Sequence, residues 1–119
     1  MHSPSHMKDL APEIHRQRLI IEGLREEPIT PEQISVYLKK LSEVLGMRSL
    51  TEPVTHKSEK FGWAGWIHWE TSGTHFYAWD QPRIFFSIDI YTCKAFKDED
   101  AIHFTKEFFG VQEVEFKSV

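Results

Sequence analysis

The stretch from residue 62 to residue 91 restricts the possible folds most, because it consists almost entirely of strand-like runs. Residues 62–70 and 74–79 form two such runs, separated by the turn-like Ser72-Gly73. The third run is residues 83–91, whose alternate positions give two faces: Ile84, Phe86, Ile88 and Ile90 on one, and Phe85, Ser87, Asp89 and Tyr91 on the other. Side chains of a strand point alternately to its two faces, so these runs predict neighbouring strands with one buried face.

A well-marked helix precedes this region. Thr30 can act as the N-cap, Pro31 suits the first helical position, and Gln33 completes a capping box. Apolar residues then recur at helical spacing: Ile34, Tyr37, Leu38, Leu41, Val44 and Leu45. Because Gly46 is a natural residue at a helix end, the pattern predicts a helix over residues 31–45.

The remaining periodic segments complete an α+β fold. Residues 17–24 and 111–116 read as strands, and residues 48–56 as a strand whose proline suggests a sheet edge. Residues 97–110 read as a second amphipathic helix, with acidic residues in its first turn and a glycine at its end. The order βα, four strands, α, β predicts a mostly antiparallel sheet with two helices packed on one face.

Composition narrows the class of protein. A net charge of −4 with scattered basic residues argues against nucleic-acid binding, and no apolar span suggests a membrane segment. The single cysteine, Cys93, cannot form an intramolecular disulfide, which favours a reducing cytoplasm. The opening MHSPSHM is typical of a vector-derived tail over residues 1–7, so a single domain is expected over residues 8–119.

Several residues together resemble a known family. The segment DIYTC at residues 89–93, together with His56, Gly62, Gly65 and Ser72 at their spacing, is similar to the prokaryotic S-adenosylmethionine decarboxylases. Trp79 falls on a tryptophan that is frequent in that family. The resemblance covers roughly residues 15–117 and is most specific at the cysteine motif.

The resemblance implies a fold, a cofactor and a site. In the family, a serine hydroxyl attacks the preceding carbonyl, and elimination cuts the chain and leaves a pyruvoyl ketone, which captures the substrate amine and draws electrons from the carbon that loses carboxylate. Ser72 would be the pyruvoyl precursor and Cys93 the proton donor. His56 and Trp79 would bind substrate, the ligand would be a small, adenosyl-containing molecule, and the chain would form a homodimer.

The sequence also departs from the family pattern at the residues that move protons. Ala64 stands where the family has a serine, and Tyr77 where it has a histidine. Thr71 and Gly73 replace the Glu and His that flank the processing serine. Only His75 and Tyr77, which would share a strand face, remain as substitutes.

Three functions therefore stay open. The first is a polyamine-pathway (spermidine) protein of this family that does not process itself and binds a small ligand or regulates a partner enzyme. The second is an active pyruvoyl-dependent decarboxylase, and the third is a ligand-binding or interaction domain unrelated to polyamines.

Individual residues allow alternatives as well. Ser72 can equally be an ordinary turn serine, and Cys93 a small residue at a strand end. His56, His68, His75 and Cys93 lack the tight spacing of a metal site, so no metal is expected. Trp63 and Trp69 share one predicted strand face and Trp66 the other, which suggests helices on one side of the sheet and a partner subunit or ligand on the other.

Overall fold

The computed structural model describes residues 7–119; the predicted tail lies outside the described residues except for Met7. The elements follow in the order β1 (Gln17–Leu24), α1 (Pro31–Val44), β2 (Val54–Ser58), β3 (Gly62–Trp69), β4 (Ser72–Trp79), β5 (Phe85–Thr92), α2 (Asp98–Phe109) and β6 (Glu115–Ser118). They form one six-stranded sheet with the order β2-β3-β4-β5-β1-β6, in which every neighbouring pair is antiparallel.

The residues at the start of α1 make the capping hydrogen bonds that the sequence predicts. The Thr30 side chain accepts a hydrogen bond from the backbone N–H of Gln33 at 3.1 Å, and the Gln33 side chain accepts one from the Thr30 N–H at 2.9 Å. These two bonds satisfy donors that a helix otherwise leaves without partners at its first turn. α2 ends at Gly110, which adopts the left-handed conformation that glycine tolerates best.

The core lies between the two helices and one face of the sheet, here called the covered face. Alternate strand residues point into it, and the large fully buried ones are Leu19, Ile21, Ile67, Trp69, Phe76, Phe86, Ile88 and Ile90. From α1, Tyr37 enters the core with its ring 5.2 Å from that of Phe76 and its hydroxyl 2.7 Å from that of Thr105 on α2. The predicted architecture, with two helices on one face of an antiparallel sheet, is confirmed.

Three local predictions are wrong. The last strand, predicted over residues 111–116, forms over Glu115–Ser118. The turn between β3 and β4 is formed by Glu70 and Thr71, whereas Ser72 and Gly73 are already the first residues of β4, paired with Trp69 and His68. Both residues have positive φ angles but still pair with the neighbouring strand. Amino-acid composition alone does not reveal this conformation. The strand predicted over residues 48–56 forms only after the proline, from Val54, and β2 is an edge strand as that proline suggests.

The opposite face of the sheet, here called the open face, carries no helix of the described chain. Its side chains come from the alternate strand positions, and across its centre the register aligns Val54, Trp66, His75, Asp89, Ile20 and Lys117. Within residues 7–119, neither helix has the length and apolar character required to cross a membrane.

Candidate functional site

Ser72 opens β4 in a backbone conformation that only glycine adopts easily. Its φ is +127°, and no other non-glycine residue among those described has a positive φ. Such a conformation costs roughly 1–3 kcal/mol for a residue with a Cβ atom, and it occurs mostly at functional sites. The strained torsion is about the N–Cα bond of Ser72, next to the Thr71–Ser72 amide bond that the family resemblance marks for cleavage.

Gly73 continues this unusual backbone. Its φ is +156°, and a Cβ atom added there would stand inside contact distance of the Ile67 carbonyl oxygen on β3. A histidine, which the family resemblance places after the processing serine, therefore does not fit without a shift of the backbone. The absence of the family's histidine at position 73 therefore agrees with the local backbone geometry, which leaves no room for a side chain.

The backbone of Cys93 holds the carbonyl that a reactive Ser72 would attack. The Cys93 N–H donates a hydrogen bond to the Thr71 carbonyl oxygen at 2.9 Å. Beside it, the buried Thr92 hydroxyl donates to the Thr71 hydroxyl at 3.0 Å, and Thr92 pairs with Ser72 across β4 and β5. The structure thus brings Ser72 and Cys93, far apart in sequence, to adjacent strand ends, with Cys93 exposed.

His75 and Tyr77 share the open face, with ring centroids 6.0 Å apart. Tyr77 lies directly opposite Ala64 on β3, so the two positions that depart from the family's serine and histidine are cross-strand neighbours. Five residues separate Tyr77 from Ser72, which is about 16 Å along an extended strand. Within one chain, Tyr77 therefore cannot exchange a proton with Ser72.

A cavity of about 580 Å³ opens beside the start of β4. Two predicted residues, Ser72 and His75, line it, and Cys93 does not. The other polar lining residues are Arg18, His68, Glu70, Thr74, Asp89 and Tyr91. The sequence considered His68 only as a metal ligand and did not identify the rest as site residues. The alternation in β5 placed Asp89 and Tyr91 on one face, but no local signal indicated that β1 pairs with β5 and contributes Arg18.

Arg18 and Asp89 form a bidentate ion pair in this cavity. Arg18 Nε and Nη2 donate to the two Asp89 carboxylate oxygens at 3.0 and 2.9 Å. The hydrogen bond to Asp89 raises the pKa of Arg18 further above its already high ordinary value. The side chains remain 43% and 28% exposed, so both charged groups face the cavity while they are paired.

The predicted substrate-binding residues lie at the other end of the open face. His56, Tyr77 and Trp79 line a second cavity of about 260 Å³, together with Ala64 and Phe61. The Trp79 ring packs 6.2 Å from Tyr77 and 5.3 Å from Phe85. Aromatic surfaces of this kind suit planar, apolar or cationic groups.

The predicted site residues thus form two groups, and neither group is a metal centre. Ser72, His75 and Cys93 lie around the start of β4, and His56, Tyr77 and Trp79 around its end. Within residues 7–119, no three side chains of His, Cys, Asp or Glu lie close enough together to hold a metal ion.

Comparisons with known proteins agree with this architecture. The structure is similar to a crystal structure of the adenosylmethionine decarboxylase from Aquifex aeolicus VF5, with a TM-score of 0.71 over 89% of each chain. Sequence identity is 12%, so this likeness establishes the fold alone. Comparison with curated proteins gives no significant match. The family model described as S-adenosylmethionine decarboxylase matches residues 21–119, and the chain therefore belongs to the S-adenosylmethionine decarboxylase family.

Proposed function

We propose that this chain is a polyamine-pathway (spermidine) member of its family that does not cut itself at Ser72. It acts in the cytoplasm as a homodimer that binds a small, adenosyl-containing ligand on the open face, alone or as the regulator of a partner enzyme. One observation carries the proposal: Ala64 and Tyr77 lie opposite each other where the resemblance expects a serine and a histidine.

The chemistry of self-cleavage explains why these positions matter. Ser72 must lose its hydroxyl proton as it attacks the Thr71 carbonyl carbon, and the departing nitrogen must gain one. General acid–base groups contribute about a hundred- to ten-thousand-fold to such steps. His75 lies three residues from Ser72, about 10 Å along the strand, which is too far for direct transfer. His68, opposite Gly73 on β3, lines the same cavity but makes no hydrogen bond to the Ser72 hydroxyl.

The residues fit a pyruvoyl group only in part. When present, that group supplies a ketone that withdraws electrons from the carbon losing carboxylate. Ser72 supplies the precursor atoms and the Cys93 N–H binds the preceding carbonyl, but among residues 7–119 no side chain that could carry a proton makes a hydrogen bond to the Ser72 hydroxyl. A carrier at position 77 would have to come from the second copy, where it is a tyrosine.

An active pyruvoyl-dependent decarboxylase is the second candidate. The observation that favours it is the combination of a strained φ of +127° at Ser72 and a hydrogen bond on the Thr71 carbonyl, which would both promote attack at this bond. In that case Cys93 acts as the proton donor to substrate, and His75 acts through water inside the shared cavity.

Intact mass under denaturing conditions tests both candidates. We expect one uncut species at every age of the sample, identical in behaviour to Ser72→Ala, which cannot form the ester. Two fragments, residues 1–71 and 72–119, with the second reactive toward carbonyl reagents, would establish the enzyme instead. The double variant Ala64→Ser with Tyr77→His tests the cause, because in the proposed dimer it should restore slow cleavage if proton carriers from the second copy are what is missing.

The proposed dimer rests on the aromatic character of the open face. Tyr77 and Tyr91 are 40% and 46% exposed, and Trp66 and Trp79 are only half-buried in the single chain. Large exposed apolar patches usually mark interfaces. Sedimentation should show a dimer that Trp66→Arg dissociates, whereas Val36→Arg, on the exposed side of α1, should leave it intact.

Ligand binding is tested by thermal shift. A ligand that binds only the folded state raises the melting temperature, by an amount that grows with the logarithm of its concentration over its Kd. S-adenosylmethionine and 5′-methylthioadenosine should both raise it, and Trp79→Ala should reduce both shifts. If no adenosyl compound shifts the melting temperature, the adenosyl ligand is wrong and a binding function unrelated to polyamines takes its place.

A further inference from the structure

The strand β6 leaves one edge of the sheet uncovered. It pairs with β1 on one side, and no described strand lies beyond it on the other. All four of its residues are exposed, and Phe116 is 58% exposed although it lies opposite the buried Ile21. A strand edge of this kind offers unpaired backbone donors and acceptors to another strand.

The register with β1 shows which backbone groups of β6 are free. The Val119 N–H donates to the Arg18 carbonyl oxygen at 2.9 Å, so positions 119, 117 and 115 are the ones whose backbone bonds to β1. The N–H and C=O groups of Phe116 and Ser118 therefore point away from β1. Among residues 7–119, no other segment forms a hydrogen bond with these groups.

The charges of β6 select one way to pair two copies of this strand. Glu115 and Lys117 lie on the open face on either side of Phe116, and neither forms an ion pair within the described part of the chain. When two antiparallel copies are centred on Phe116, each Glu115 lies directly opposite Lys117 of the second copy. Centring the pair on Glu115 or on Lys117 would place like charges opposite each other, which is destabilising.

The register centred on Phe116 also suits the backbone. The two Phe116 residues at the two-fold axis would exchange N–H···O bonds through the groups that point away from β1. Each Glu115 and the opposite Lys117 then occupy a non-hydrogen-bonded position, where side chains of neighbouring strands come closest. Backbone direction and side-chain charge therefore favour the same arrangement.

The opposite edge of the sheet is less suited to such pairing. Pro53 comes directly before β2, and proline is typical of edges that are protected from further pairing. β2 carries Lys57 but no acidic residue between Val54 and Ser58. Two copies of β2 would therefore bring together basic charges without partners.

We propose that β6 is a two-fold contact between two copies of this chain, which join their sheets edge to edge in the register centred on Phe116. This contact is separate from the proposed dimer on the open face and goes beyond the proposed function. A four-residue strand buries a small area, so the association is weak and requires a high protein concentration. With both contacts, two open-face dimers form a tetramer.

Sedimentation of the Trp66→Arg variant isolates this contact, because that substitution should dissociate the proposed open-face dimer. The average mass should rise toward twice that of one chain between about 10 µM and about 1 mM protein. Adding Glu115→Lys or Lys117→Glu should weaken this association at least about tenfold, because both charge pairs then become repulsive. Circular dichroism verifies that each variant is folded.

Charge exchange provides the matched controls. An equimolar mixture of the Glu115→Lys and Lys117→Glu proteins should associate as the parent does, because every lysine then faces a glutamate. Glu59→Lys and Lys60→Glu, at exposed positions just after β2, change the net charge equally and should leave the association unchanged. An association that follows positions 59 and 60 instead would place the contact at β2 and overturn the inference.

A disulfide tests the register directly. In a Cys93→Ser background, oxidised Phe116→Cys should form a covalent dimer, because the two Cα atoms of such a pair are about 5.5 Å apart. Ser118→Cys should not, because its two copies are about 13 Å apart along the strands. Equal cross-linking of both variants, or no rise in mass up to about 1 mM, would overturn the inference and leave the open-face dimer and its ligand untouched.

Discussion

The covered face and the open face of the sheet are built from the same strands, yet they differ in almost every physical property. In β4, Phe76 is fully buried against aromatic rings from both helices, while its neighbour Tyr77 is 40% exposed on the other side. The covered face is apolar and closely packed. The open face combines aromatic rings, histidines and an ion pair around two cavities.

This difference separates the residues that determine the fold from those available for chemistry. On the covered face, a polar atom needs a partner, because burial without one costs free energy. On the open face, Arg18 and Asp89 stay partly exposed, so they can keep polar atoms outside the ion pair without the cost of burial. The family fold can therefore persist while the residues of the open face diverge.

Truncating one side chain on each face gives the largest expected contrast. Phe76→Ala removes a fully buried ring packed 5.2 Å from Tyr37 and 5.6 Å from Phe109, and should lower the free energy of unfolding by about 3–5 kcal/mol. Tyr77→Ala should lower it by about 1 kcal/mol in the single chain, because two fifths of the residue is already exposed there. Urea denaturation of protein dilute enough to be monomeric measures both, and equal losses would contradict the contrast between the two faces.

The second-largest expected loss of stability comes from breaking a hydrogen bond between α1 and β3. The buried Trp69 Nε1–H donates to Ser42 Oγ at 2.7 Å, and Ser42 in turn donates to the Leu38 carbonyl oxygen at 2.7 Å. Ser42→Ala leaves the indole N–H without a partner and should cost about 1–3 kcal/mol. Ser35→Ala, on a less buried position of the same helix, should stay within about 0.5 kcal/mol. A loss no larger than that of Ser35→Ala would show that water reaches the indole.

The buried Tyr37 predicts that the stability of the protein depends on pH through a residue of the covered face. Burial raises the pKa of Tyr37, and the hydrogen bond with Thr105 offsets this only in part. A raised folded-state pKa stabilises the protein fully below about pH 10, the ordinary tyrosine pKa. That stabilisation is lost as pH rises above this value, because the unfolded chain then releases the proton first.

The matching variants isolate this effect. Tyr37→Phe should cost about 1 kcal/mol at neutral pH through the lost hydrogen bond, but its melting temperature should fall less between pH 9 and pH 11. Tyr91→Phe, on the open face, keeps Tyr37 and should follow the unmodified chain. Parallel curves for all three proteins would contradict the assignment.

The sequence predicts the covered face well, because its signals are local. Alternation in β5 and the capping box at Thr30 and Gln33 each depend on a few consecutive residues, and the structure confirms both. The turn between β3 and β4 was misplaced for an equally local reason. Ser72-Gly73 is typical turn composition, but its positive φ angles serve the first residues of a strand.

The open face was predicted less completely, because its site depends on which strands become neighbours. Ser72 and Cys93 were linked only through the family resemblance, and their proximity follows from the pairing of β4 with β5. Arg18 reaches Asp89 because β1 pairs with β5, across a separation of 71 residues. No periodicity or motif in either segment indicates that contact.

The smallest expected change in the free energy of unfolding is at the start of β4, where the backbone of Ser72 is strained. Ser72→Gly relieves a φ of +127° worth roughly 1–3 kcal/mol, but it also frees the unfolded chain, which costs roughly 0.4–1 kcal/mol. The net expectation is a gain of about 1 kcal/mol in unfolding free energy.

Gly73→Ala should have the opposite sign, because its Cβ would meet the Ile67 carbonyl oxygen. Ser118→Gly, at the end of β6 without a positive φ, controls for the intrinsic cost of glycine and should destabilise slightly. Should Ser72→Gly lower stability as Ser118→Gly does, the backbone of Ser72 stores no strain, and the case for a latent processing site loses its physical basis.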